Sequence, residues 1–261
     1  MKRFKGNSLM VVLSLFLVLM LVLSACSSGQ DSSPGGSTGS ASSGTPSQSS
    51  SGSGGGSGQD DKIVVGFSVG TMKQERWQRE VDMARKYAEE HGFELIVQSA
   101  EDDANKQVQQ VEDMLTRGID VLLISALDSE SSGVVVEKAH EVGVPVVAYD
   151  RLVRNGDLDY YLTFDNVRVG ELQAQMLVER YPKGNYIWVL GGPEDNNAHL
   201  LKQGQESVLQ PYIDRGDINI VLQQWAKGWS PEEAMKIVEN GLTLANNDVV
   251  AVLASNDGTA G

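Results

Sequence analysis

Three glycines at nearly equal intervals constrain this chain more than any other feature. Gly92, Gly118 and Gly143 stand 118 − 92 = 26 and 143 − 118 = 25 residues apart, each between an amphipathic stretch and an apolar one. A glycine in that place supplies the left-handed turn that ends a helix, so each interval holds one helix and one strand. In the first helix Trp77, Val81, Ala84 and Ala88 keep the spacing i, i+4, i+7, i+11 of a single buried stripe. The apolar runs at 63–67, 93–97, 121–124 and 144–148 lack strict alternation, which suits parallel strands covered on both faces. A chain of such units winds into a parallel sheet with helices on both sides.

The pattern continues past a strand around 160–164. A helix is expected over 167–180, followed by strands at 186–190, 218–222 and 249–253. Between the last two, Ser230-Pro231-Glu232-Glu233 has a hydroxyl at the N-cap, proline at N1 and a carboxylate at N3, a capping box that opens a helix to about Leu244. The expected fold class is therefore α/β, with two doubly wound parallel-sheet lobes, 61–165 and 166–261, joined by a hinge near Asp165-Asn166.

Residues 1–60 belong to neither lobe. Lys2, Arg3 and Lys5 precede an almost wholly apolar stretch at 9–23, too short to span a membrane and shaped as a secretory signal. Leu23-Ser24-Ala25-Cys26 then resembles the lipobox of bacterial lipoproteins, which implies removal of 1–25, acylation of Cys26 and anchoring outside the cytoplasmic membrane. From 27 to 60 the composition falls to Ser and Gly with a little Thr, Pro, Gln and Asp. No core can form there; such a tether reaches roughly 30 Å. Cys26 is the only cysteine, so no disulfide framework and no metal-binding cysteine cluster is expected.

A formal net charge of −14 argues against nucleic acid or an anionic membrane face as partner. His91, His140 and His199 lack metal-site spacing and suit helix ends and loops. No Gly-x-Ser-x-Gly, dinucleotide fingerprint or Walker sequence is present. The expectation is no enzyme, no cofactor and no metal.

Open α/β sheets bind ligands beyond the carboxyl ends of their strands. There the sequence places Glu75-Arg76-Trp77, Tyr149-Asp150-Arg151, Asp195-Asn196-Asn197, Trp225 to Trp229 and Ser255-Asn256-Asp257. Indoles among carboxylates, guanidinia and carboxamides suit a sugar, whose C–H faces pack on aromatic rings and whose neighbouring hydroxyls are met by two-headed polar groups. A neutral ligand in a closed cleft also requires balanced ions, which Asp150 and Asp195 facing Arg76 and Arg151 would supply.

Six segments, in order, resemble the bacterial D-xylose-binding proteins: Glu75-Arg76-Trp77-Gln78; Ala148-Tyr149-Asp150-Arg151; Phe164-Asp165-Asn166 with Val169 to Ala174; Asp195-Asn196-Asn197-Ala198; Gly228-Trp229; and Ala254-Ser255-Asn256-Asp257. These are substrate-binding components of sugar ABC transporters with the type I periplasmic-binding-protein fold, and the likeness covers essentially all of 61–261. It implies that Trp77 and Trp229 sandwich the sugar ring while Arg76, Asp150, Arg151, Asp195, Asn197 and Asn256 bond its hydroxyls. It also implies a monomeric receptor for a monosaccharide, D-xylose, working with a membrane permease. Other uses stay open. Trp77 fits the buried helical stripe, Trp229 can pack beside a helix cap, Asp150-Arg151 can pair at a strand end, and the asparagines can form turns or caps. Trp225 and Asn196 read as structural. The same lobes also serve sugar-sensing partners of membrane kinases.

Two departures accompany the resemblance. The acidic pair of some members is missing from 70–73, and the chain stops at Gly261 where members continue with elements that complete the second lobe and add an acidic and a lysine ligand. The chain is therefore expected to be C-terminally truncated, with an incomplete site and a partly uncovered run at 249–253.

Overall fold

Strand and helix alternate along almost the whole described chain. The elements are β1 (Val64–Val69), α1 (Glu75–His91), β2 (Glu94–Ser99), α2 (Ala104–Thr116), β3 (Val121–Ser125), α3 (Gly133–Glu141), β4 (Val146–Tyr149) and β5 (Tyr160–Leu162). They continue as α4 (Asn166–Arg180), β6 (Gly184–Leu190), α5 (Asn196–Asp214), β7 (Ile218–Trp225), α6 (Pro231–Leu244), β8 (Ala251–Ala254) and α7 (Asp257–Ala260), with a 3₁₀ turn at Lys227–Trp229 before α6. This computed structural model describes residues 62–261, all within one compact unit, Ser57–Gly261. The expected signal segment, Cys26 and the tether lie outside the described residues.

The strands form two sheets in which every ladder is parallel, ordered β2-β1-β3-β4-β5 and β7-β6-β8. The second order repeats the first three strands of the first. Both are windings in which the chain starts in the middle and reverses direction, leaving a crevice at the carboxyl ends where the reversal occurs. The pivotal glycines have the expected left-handed backbone, with φ of 78° at Gly92, 79° at Gly118 and 79° at Gly143.

Packing on two faces explains the uninterrupted apolar strands. In the first sheet Leu122 and Ile124 pack with Val111 and Met114 of α2 and Val135 and Ala139 of α3. Leu123 turns the other way, joining Phe67, Val69 and the α1 residues Trp77 and Val81. In the second sheet Tyr186, Trp188 and Leu190 meet Ala174 and Val178 of α4 and Leu209 of α5. Ile187 and Val189 face Ala234 and Ile237 of α6.

Several expected bounds shift. β1, β2, β3 and β7 run on to Val69, Ser99, Ser125 and Trp225 because the ladder bonds backbone groups whatever the side chain, so Ser68, Gln98, Gln223 and Gln224 do not end a strand. β5 departs from two-sided cover: Tyr160, Tyr161 and Leu162 are all exposed on an edge that only β4 pairs. The capping box at α6 is half formed. Ser230 accepts from the Glu233 N–H, whereas the Glu233 carboxylate bonds Lys236 instead of reaching back. A reciprocal box occurs at α7, between Asn256 and Thr259. On the edge strand β8, Ala251 and Leu253 are buried and the neighbouring Val250 and Val252 are 39% and 37% exposed, as expected of the 249–253 run.

Helices α4 and α5 cross backbone to backbone. A Cβ on Gly170 would meet Leu201 O at 2.1 Å, and one on Gly204 would meet Val167 O at 1.9 Å. Neither carbonyl can yield without moving its helix. Gly204→Val is expected to cost about 3 kcal/mol or more in urea unfolding, the upper end of overpacking, whereas Val252→Thr on the exposed edge should stay within about 0.5 kcal/mol.

Candidate functional site

β6 delivers the central group. The strand ends at Leu190 and the loop after it makes Asp195 the N-cap of α5, with Oδ1 accepting the N–H of Asn197 at 2.9 Å. An N-cap carboxylate satisfies one orphan donor of its helix and leaves its second oxygen for other work. Oδ2 of Asp195 accepts the indole N–H of Trp229 at 3.2 Å and lies 3.0 Å from Nε of Arg151 in the other lobe. That N–H is not aligned on the oxygen, so the contact is an ion pair without a hydrogen bond. Asp195 is 3% exposed. Burial pushes its carboxyl above the ordinary value, against the opposing pull of Arg151, the Asn197 N–H and the Trp229 indole.

Trp229 ends the 3₁₀ turn with φ of 56° and packs on Ala198 and Leu201 of α5. Its ring lies against the strand-end backbone at Gly191, where a Cβ would come within 2.3 Å of the indole. The absent side chain makes room for the ring. Asn256 caps α7 through Oδ1, which accepts the Thr259 N–H at 2.9 Å.

In the first lobe the chain leaves β4 through Asp150, whose φ of 63° is rare for a residue with a side chain and carries strain of the kind that collects at functional sites. The kink separates two successive side chains. Asp150 accepts from Arg76 Nη2 at 2.8 Å, while Arg151 donates to Ala126 O at 3.4 Å and reaches Asp195. Asp150 and Arg151 therefore do not pair with each other at a strand end. Each takes a partner from elsewhere, and the two ion pairs balance two positive charges against two negative ones.

These groups enclose a recess of about 160 Å³ lined by Arg76, Asp150, Arg151, Asp195, Asn197, Trp229 and Asn256. Seven of the eight residues expected at a ligand site thus converge. Trp77 does not. It is 1% exposed, packed among Phe67, Val69 and Val81, and absent from the lining. The helical spacing, not the sandwich, describes its place. The Arg76 guanidinium lies 4.2 Å and that of Arg151 5.5 Å from its ring centre, so Trp77 supports both cations by cation–π attraction. A wider cavity of about 950 Å³ shares Gln74, Arg76, Trp229 and Asn256 with the recess but contains neither complete ion pair. The wider cavity is also lined by Trp229 and has exposed pairs such as Lys73 with Asp102; the recess differs in holding the buried pair of Arg151 and Asp195, which makes it the candidate site.

Gln74, Phe164, Asn166 and Ser255 also line the recess and were not singled out. Phe164 and Asn166 stood in a recognised segment but read as the junction between lobes, and nothing in spacing distinguished Gln74 or Ser255. Trp225 tilts against His199 at 4.8 Å and stays outside the recess lining. His91, His140 and His199 all lie in terminal turns of helices, and among the described residues no cluster could hold a metal ion.

Residues 65–261 match the family described as periplasmic binding protein domain. The chain belongs to that family. D-xylose-binding periplasmic proteins are similar to it: the one from Escherichia coli is 46% identical over 200 residues, 77% of this chain and 61% of the relative. The one from Haemophilus influenzae is 46% identical over 197 residues, 76% and 59%. The chain thus spans about three fifths of the length of these curated relatives. An ABC transporter solute-binding protein from Clostridium phytofermentans, solved with β-D-glucose bound, superposes with a TM-score of 0.72 at 34% identity, covering 76% of this chain and 66% of the other. These relatives are binding proteins, not enzymes, and the solved one shares the parallel-sheet α/β fold of this chain.

Removing Arg151 strands a buried carboxylate. Arg151→Met should cost about 3–5 kcal/mol at pH 8, as for a broken buried pair. Because burial already holds the Asp195 carboxyl above its unfolded value of 3.8, the native state binds more protons over that window and its stability rises as pH falls. Urea unfolding of Arg151→Met at pH 5 should therefore recover part of the loss, and Arg151→Met with Asp195→Asn most of it. An equal loss at both pH values would remove Asp195 as the stranded group.

Proposed function

We propose that this protein captures a free monosaccharide, D-xylose, in the recess and presents it to the permease of an ABC transporter. The observation that carries the reading is the pairing of Arg76 with Asp150 and of Arg151 with Asp195 in a recess that Trp229 also lines. Ions already neutralised within the protein leave no net charge for the ligand to match, yet still offer strong donors and acceptors to hydroxyls. An indole beside them suits the C–H face of a pyranose. The similar D-xylose-binding proteins support the choice of sugar.

Arg151, Asp150 and Arg76 come from one lobe; Asp195, Asn197, Trp229 and Asn256 come from the other. A sugar touching both sets binds the closed arrangement more tightly than an open one, so it draws the lobes together about the connection after β5. The permease reads the closed form. We further propose that the receptor is a monomer, that Cys26 carries a lipid, and that the tether lets the lobes move above the outer face of the cell membrane. Metabolic labelling with palmitate should mark the protein and fail on Cys26→Ala.

Titration calorimetry of the whole gene product against xylose, ribose, arabinose, glucose and galactose should give the tightest binding for xylose. Xylose should also shift tryptophan fluorescence. Trp229→Ala should lose about 1–3 kcal/mol of binding and most of the fluorescence response, while Trp188→Phe, outside the recess lining, keeps both. A folded Trp229→Ala protein with unchanged affinity would leave that indole a packing role only.

A further inference from the structure

Asn166 is the first residue of α4, directly after the connection between the two sheets. Its amine lies 3.3 Å from Thr163 Oγ1, 3.2 Å from Phe164 O and 3.1 Å from Oδ1 of Asn197. The amine of Asn197 in turn donates to Asp150 O at 3.1 Å. Backbone carbonyls only accept, so Phe164 O and Asp150 O decide which end of each carboxamide carries the hydrogens. The two amides are thereby set head to tail between two carbonyls, and turning either over would face oxygen with oxygen. Asn197 is buried, and both asparagines line the recess.

A carboxamide has two N–H donors and two lone pairs. Asn197 spends one of each on Asp150 O and Asn166. One donor and one acceptor remain, and their order in space is set by Asp150 O at one end of the amide and by Asn166 at the other. We infer that Asn166 is a positioning residue: it holds the Asn197 carboxamide in the single orientation that meets a ligand hydroxyl, and ties that orientation to the connection between the lobes. The inference rests on the monosaccharide-binding reading.

Calorimetry of the whole gene product with D-xylose tests it. Asn166→Ala takes the donor from Asn197 Oδ1 and leaves the amide held at its nitrogen end alone, which should weaken binding about five- to tenfold, the worth of one neutral hydrogen bond. Asn166→Asp sets a carboxylate oxygen against Asn197 Oδ1 and should weaken it more, about tenfold to a hundredfold. Aspartate near a helix N-terminus is favourable, so a role confined to starting α4 would leave Asn166→Asp melting and binding as the parent does. In an Asn197→Ala background the effect of Asn166→Ala should vanish. An undiminished effect there, or parent-like affinity of Asn166→Asp, overturns the inference while the binding reading stands. A parent protein that binds none of the monosaccharides overturns both.

Discussion

The carboxylate of Asp195 is the point on which the rest of the site depends. One oxygen starts α5, and the other holds the Trp229 indole and faces Arg151 across the two lobes. A buried carboxylate without such partners would cost several kcal/mol, so helix, indole and guanidinium are bound to one another's positions. Displacing any of them strands a charge or opens a cap. The geometry of the recess follows from the fold because β6, the middle strand of its sheet, ends at Leu190 and a short loop carries the chain from there to this residue.

Charge balance then sets the chemistry. Arg76 and Arg151 are each answered by one carboxylate, and both lie over the buried face of Trp77. The arrangement is dense in donors and acceptors yet neutral in sum, which favours a polyol over an anion or a cation. The strained backbone at Asp150 is part of the same solution: without that kink, Asp150 and Arg151 could not serve different partners.

The winding was legible in the sequence because Gly92, Gly118 and Gly143 need a left-handed turn and because two-sided burial leaves apolar runs. The strand-end residues were legible for a related reason, since a parallel sheet concentrates function at one edge. What escaped were relations that local pattern does not carry. β5 is apolar and yet exposed, which depends on its place at the sheet edge. The four ions were expected to face one another, but which carboxylate takes which guanidinium, Asp150 with Arg76 and Asp195 with Arg151, is a relation of the folded chain. The amide relay from Asn166 to Asn197 joins two elements whose crossing depends on Gly170 and Gly204, and no spacing reports it. Trp77 satisfied both a helical stripe and a family likeness, and the burial of its ring decided for the stripe.

The most direct measurement is a crystal structure of the whole gene product with D-xylose bound. The account predicts one sugar in the recess, its ring against Trp229 and its hydroxyls within hydrogen-bond distance of Asp195, Arg151 and Asn197. Sugar bound in the wider cavity and away from these groups, or Arg151 and Asp195 moved apart with the ligand in place, would contradict it.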